Sequence, residues 1–249
     1  MPISKFIDDI DAPRASLVVV NRDQPVPVQR MLERLFEDQP VAVSEAELPE
    51  DESDVVLLVR DGEVVASSPL PAVMDAVLLV NSDLFTSGAR ELSEAELPDV
   101  LAGLEETRFD VQGYPEAEKD KLLLIAVSRA IEREAWLAGE GRLRTAFQNL
   151  SRINDESGTR AVYETLAGTD VDVHVYGMPD WVPPMEFEVT THAGYKPDFR
   201  KSWFVVFRGP GGVGSALVAY QTRPRRWSGF WTSRDALVEN VADYVAYRL

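Results

Sequence analysis

Every apolar run in this chain is short. The longest stretches, such as Val73–Val80, fall far below the roughly 20 residues needed to span a bilayer. Short runs of this kind are buried strands or the inner stripes of amphipathic helices. Their order is therefore the strongest constraint on the fold. Ser16–Asn21 (SLVVVN) is an apolar run with polar ends, a buried strand. Pro25 to Phe36 places Val28, Met31, Leu32 and Leu35 on one helical face. Val41–Ser44 is a short strand. Asp54–Arg60 and Glu63–Ser67 flank Asp61-Gly62, a dipeptide that suits a tight hairpin turn. Pro69 to Val80 returns as a helix, and a weak boundary falls near Asn81–Ser93.

The rest of the chain begins with Ser93 three residues before Glu96, capping chemistry that predicts a helix to about Thr107. Phe109–Val111 is strand-like and ends at Gly113. Pro115 suits a first helical turn, and the helix from Lys119 to Ala138 stops at Gly139. It carries Leu124, Val127, Ile131 and Ala135 on one face. Strands follow at Leu143–Gln148, Asp172–Tyr176, Ser202–Phe207, Ser215–Gln221 and 227–231, with helices at Thr159–Ala167 and Asp235–Tyr247. The pattern predicts an α/β fold: a mixed, partly antiparallel sheet flanked by helices, in two closely packed α/β units at residues 1–92 and 93–249.

Composition narrows the function. The 42 acidic residues against 25 basic ones leave a net charge of −17, which repels a phosphate backbone and argues against direct nucleic-acid binding. Only five lysines occur: Lys5, Lys119, Lys121, Lys196 and Lys201. An acidic, Lys-poor, Cys-free chain is what cytosolic proteins of salt-accumulating organisms look like. The absence of cysteine removes disulfides, thiolate metal sites and a Cys nucleophile. With no signal-peptide run at the N-terminus, a cytoplasmic protein with no membrane association is expected. The acidic run between Glu37 and Asp54 reads as a solvated loop.

The motifs that would mark catalysis are missing. Gly209-Pro210-Gly211-Gly212-Val213-Gly214-Ser215 lacks the lysine of a phosphate loop and leads into a strand, so it reads as a hairpin loop. The two histidines, His174 and His192, are too few for a zinc set and read as surface or structural residues, although Thr191-His192 near Asp198 could hold a general base. No Gly-x-Ser-x-Gly elbow is present. Catalytic and metal residues are therefore assigned as none, and the residues name no cofactor. Trp181, Trp203, Phe204, Trp227, Phe230 and Trp231 concentrate late in the chain. They suit a sheet core or a surface that stacks on a flat ligand.

The helix ending Ser128-Arg129-Ala130-Ile131-Glu132, then Ala146-Phe147-Gln148, Thr159-Arg160-Ala161-Val162-Tyr163, Leu166-Ala167 and Val175-Tyr176-Gly177 form one diffuse pattern. The paired strands Trp203–Phe207 and Ala216–Tyr220 complete it. From Leu122 to about Tyr220 the chain resembles the DICT family, sensory domains named for their occurrence in diguanylate cyclases and two-component systems. With its acidic composition the chain looks like the stand-alone haloarchaeal, archaeal and halophilic, type. The resemblance implies that residues 93–249 are a sensory domain. It also implies a cytoplasmic, non-catalytic signal-transduction module that binds a small ligand or signal and relays it to a signalling protein or output domain in trans. The alternatives are an interaction scaffold, and an enzyme using His174 or His192. The resemblance is densest around Arg129, Glu132, Phe147, Gln148, Arg160, Tyr163 and Trp203, the expected ligand-binding residues. Arg129, Glu132 and Arg160 either pair with one another or converge on a ligand.

At low salt the carboxylates repel one another, and at molar salt the Debye length falls to about 3 Å. The thermal midpoint is expected to rise steadily in KCl from millimolar to molar concentration; a midpoint indifferent to salt contradicts the halophilic reading.

Overall fold

The computed structural model describes residues 2–10, 14–37, 39–49, 53–78, 92–112, 118–155 and 157–249. In chain order the helices are α1 (Lys5–Asp8), α2 (Val26–Phe36), α3 (Leu70–Leu78), α4 (Asp99–Ala102), α5 (Glu118–Ala138), α6 (Arg152–Asp155), α7 (Ser157–Leu166), α8 (Pro197–Lys201) and α9 (Asp235–Arg248). The strands are β1 (Ala15–Val20), β2 (Val41–Ala46), β3 (Val55–Arg60), β4 (Glu63–Pro69), β5 (Phe109–Gln112), β6 (Glu140–Asn149), β7 (Asp170–Met178), β8 (Val189–Ala193), β9 (Ser202–Arg208), β10 (Gly214–Arg223) and β11 (Arg226–Thr232).

The fold is α/β with two mixed sheets. The smaller has the order β2-β1-β3-β4. Its β1–β2 pair is parallel and its other pairs are antiparallel. The β3–β4 turn has positive φ at both central residues, 50° at Asp61 and 86° at Gly62, the type I′ geometry for which Asp-Gly is suited. The larger sheet has the order β5-β11-β10-β9-β6-β7-β8. Here β6, β7 and β8 run parallel and the remaining pairs are antiparallel. The glycine-rich segment joins β9 to β10 as a hairpin.

The large sheet buries both faces. On one lies α5, whose Leu124, Val127 and Ile131 share a single core with Leu143, Val205 and Leu217 of the sheet and Leu17, Leu58 and Val73 of the smaller unit. The other face is covered by α9, with Val238, Val241 and Val245 against Phe204, Val218 and Phe230. Ile3 and Ile7 complete this second core, so the first residues of the chain are part of the large sheet's packing. Each such aliphatic side chain removed from water contributes about 2 kcal/mol. Asp198 ties the layer together: its Oδ2 accepts from the Ile3 amide at 3.3 Å and the Tyr244 hydroxyl at 2.5 Å. Burial and this carboxylate push the Tyr244 pKa far up.

The sequence places a helix from Ser93 to about Thr107; the structure has only a 3-10 turn at Leu92–Glu94 and the single-turn α4. Pro98 starts α4, and Gly103 ends it where the Leu58 Cδ2 atom would lie 2.6 Å from a Cβ. Tight packing against the small sheet thus prevails over the Ser93–Glu96 capping signal. β8 and α8 occupy a stretch with no period to read. The expected helix end at Val80, residues 81–91 of the expected boundary and the start at Pro115 lie outside the described residues.

Gly141 of β6 has φ 115°, and a Cβ there would sit 2.6 Å from the Arg208 carbonyl oxygen. Gly139 also has positive φ, at 68°, but opens on empty space. Gly139→Ala should cost about 1–2 kcal/mol. Gly141→Ala should cost ~3 kcal/mol or more, because backbone conformation and clash add. Equal losses in denaturant melts would show that the β6–β9 contact is not tight.

Candidate ligand-binding site

Helix α5 is buried around most of its circumference from Leu123 to Glu132. Such a helix must satisfy its polar side chains internally. On one side Arg129 donates from Nη1 to Glu132 Oε2 at 2.5 Å and from Nη2 to Thr159 Oγ1 at 2.9 Å. The Tyr163 hydroxyl donates to Glu132 Oε1 at 3.2 Å. Burial and then the neighbouring Glu132 charge push the Tyr163 pKa far up, so the phenol stays protonated. Phe147 meets the Tyr163 ring edge to face at 5.5 Å.

The structure therefore brings together four of the expected residues: Arg129, Glu132, Phe147 and Tyr163. Gln148 is half-buried at an irregular point of β6, with φ 61°. Arg160 is exposed on α7, donating to Glu164 at 2.8 Å and Asn154 at 3.3 Å, with its guanidinium 5.8 Å from the Phe187 ring centre. Trp203 is half-buried on β9 against the main core.

The other side of α5 borders a cavity of about 360 Å³. Val127, Ala130 and Ile131 form one wall, and Trp231 of β11 forms another. Trp231 is only 5% exposed and stacks on Phe109 at 4.9 Å, yet its indole Nε1 is buried with no hydrogen-bond partner among the described residues. Close by, the Ser215 hydroxyl donates to Glu134 Oε2 at 2.6 Å. Burial raises the Glu134 pKa, and the Ser215 hydrogen bond offsets part of that rise. The cavity thus presents apolar walls, the Trp231 ring among them, and the Glu134–Ser215 pair as its polar feature, a mixture that suits a small molecule.

The rim is segment 103–106. Glu105 Oε2 accepts from the Ser233 amide at 2.9 Å, and the Glu106 amide donates to the Trp231 carbonyl at 2.7 Å. From the small sheet, Arg60 Nη2 donates to the carbonyls of Gly103 at 2.6 Å and Glu105 at 2.9 Å. The rim is therefore held between the two sheets. A larger hollow of about 1080 Å³ lies on the small sheet beside Phe36. It is rimmed by exposed Glu33, Glu37 and Asp61, and contains none of the buried polar atoms that lack a partner among the described residues. The smaller cavity is the better site on those grounds.

Residues 99–222 match the family model of DICT, the sensory domain in diguanylate cyclases and two-component systems. This segment is a DICT domain. It spans α4 to β10, so α5, the rim and Ser215 belong to it, while Trp231 comes from the strand after it and Arg60 from the unit before it. All seven expected site residues also fall within the DICT domain. A comparison with curated proteins gave no match. Among solved structures the chain is similar to polyphosphate kinase from Porphyromonas gingivalis, at 9% identity and a TM-score of 0.38. That match covers 98% of this chain and 47% of the other, so the chain spans under half that protein's length. A likeness this distant carries no argument about fold or activity.

Sequence reasoning picked out Trp231 as one of several late aromatics but had no signal for the cavity. Glu134, Ser215 and the rim lie far apart in the chain, and no motif joins them.

Because its folded pKa is raised, Glu134 favours the folded state at low pH, and that contribution is lost as pH rises through the raised value. Glu134→Gln should therefore gain stability relative to the natural chain as pH rises from the ordinary carboxylate range through the raised value. Parallel pH profiles for the two proteins would contradict the buried carboxyl.

Proposed function

We propose that this chain is a non-catalytic sensor whose DICT domain binds a small ligand in the cavity beside α5 and relays its presence to a signalling protein in trans. The observation that carries the reading is a cavity of ligand size walled by α5 and by Trp231, whose buried indole N–H lacks a hydrogen-bond partner among the described residues. A buried donor left unmade costs about 1–3 kcal/mol, and an acceptor on the ligand removes that cost. Glu134 asks for a donor beside it, so the ligand class is a compact, largely apolar molecule with an adjacent acceptor and donor. The sensory nature of DICT domains fits a non-enzyme. No helix among the described residues is long and apolar enough to cross a membrane, and a cytoplasmic location is part of the proposal.

Relay follows from the rim. An occupant that shifts segment 103–106 strains the Arg60 hydrogen bonds and so moves β3. In this reading residues 1–92 are the transmitting unit. A second reading places the ligand on the other side of α5, where the Arg160 guanidinium lies over Phe187 in the open, close in sequence to Tyr163.

Native mass spectrometry of the protein equilibrated with a cell extract tests both readings. A bound small molecule should be lost from Ala130→Trp, which fills the cavity, and weakened about tenfold in Trp231→Phe, which removes one hydrogen bond. Retention in both variants with loss in Arg160→Ala would move the site to the second location. The absence of any bound molecule would remove ligand binding from the proposal.

A further inference from the structure

The face of the large sheet away from α5 carries an arginine–histidine cluster that the reading above does not use. Arg142 of β6 lies directly opposite Asp172 of β7 on one side and Arg208 of β9 on the other. Two residues on, Arg144 lies opposite His174, and beyond it Tyr176 lies opposite His192 of β8. Residues spaced by two share a face, and adjacent strands are about 5 Å apart, so these groups form one patch. Glu239 of α9 reaches Arg208 at 3.8 Å across the same face.

Hydrogen bonds order the patch. Arg142 Nε donates to Asp172 Oδ2 at 2.6 Å, and the same oxygen is 3.0 Å from His174 Nε2. His174 Nδ1 is 2.8 Å from His192 Nε2. The two rings are 21° from coplanar with centres 5.1 Å apart, which is the geometry of rings joined end to end. With His174 neutral, its Nε2 donates to Asp172 and its Nδ1 accepts from His192; with His174 protonated, it donates at both nitrogens. His192 also lies flat on Tyr176, with centres 4.3 Å apart.

The charges do not balance. Asp172 is engaged by Arg142 and His174, and Glu239 only approaches Arg208. Arg144 is 8% exposed, and among the described residues its Nε has no hydrogen-bond partner and no carboxylate pairs with it. A buried guanidinium without a counter-charge is costly, and this chain has 42 acidic residues from which to supply one. The guanidinium hydrogen-bonds the Tyr176 hydroxyl, and its charge helps hold the His192 pKa below the ordinary value, behind burial and His174.

We infer that Arg144, with Arg142 and Arg208, forms a second binding site whose ligand is a small oxyanion: phosphate, free or as the monoester of a small molecule. The guanidinium fork matches phosphate oxygens in pairs, and three arginines on adjacent strands offer several such donors. The site is independent of the Trp231 cavity, on the opposite face of the sheet.

The chain has two histidines, so ring resonances read this patch directly. The whole protein, labelled at histidine, is titrated with inorganic phosphate and with glycerol phosphate at ionic strength held constant by KCl. The expected result is a saturable shift of the His192 resonances and a rise in the His192 pKa, because the anion offsets the Arg144 charge. Tighter binding of the monoester would assign the site to a phosphorylated metabolite, and tighter binding of phosphate to the free ion. Arg144→Gln should abolish saturation. Arg142→Gln and Arg208→Gln, at more exposed positions, should each weaken binding about tenfold, and they decide the matter if Arg144→Gln does not fold. No saturable shift with either anion, or the same affinity in the folded variants, overturns the inference.

Discussion

Everything in this molecule is arranged around a helix buried on nearly all sides. α5 lies between the seven-stranded sheet and the smaller α/β unit, and a single core runs through it from Leu17 and Leu58 to Leu217 and Trp231. A helix with one apolar stripe rests on a surface, whereas one placed between two layers has to bury its polar residues as well. The Arg129–Glu132 pair answers that need on one side and the Glu134–Ser215 pair on the other. The cavity walled by Val127, Ala130 and Ile131 is a consequence of where this helix sits.

The buried polar groups fall into two kinds. Arg129, Glu132, Thr159 and Tyr163 satisfy one another, and such a closed network orients the helix more than it adds net stability. Five others among the described residues, Arg60, Thr107, Arg144, Thr145 and Trp231, each keep a buried atom with no hydrogen-bond partner. Groups of this second kind carry a desolvation cost. Trp231 and Arg144 lie on opposite faces of the same sheet, one neutral and one cationic, and so call for different partners.

The DICT match covers the segment from α4 to β10, but the packing does not stop at its edges. β11 and α9 finish the large sheet and its outer layer, Ile3 and Ile7 enter the same outer core, and Arg60 holds the rim loop. The domain is thus bound closely to its flanking elements: Arg60 of β3 donates to the backbone carbonyls of Gly103 and Glu105.

The sequence by itself determined the local elements and the mixed α/β class, because side-chain periodicity and turn chemistry are local: the Asp61-Gly62 hairpin, the helix ending at Gly139 and the glycine-rich β9–β10 turn all follow from neighbouring residues. It also pointed to Arg129, Glu132, Phe147 and Tyr163, which lie on the densest part of the DICT pattern and meet in space. Where packing competes with a local signal the sequence was a poor guide, as at Ser93–Thr107, where the small sheet leaves room for one helical turn. Only the tertiary structure joined Glu134 to Ser215, Arg60 to Gly103, and His174 to His192. Those contacts depend on strand order and register, which arise from how two cores close over one helix, and no spacing along the chain encodes them.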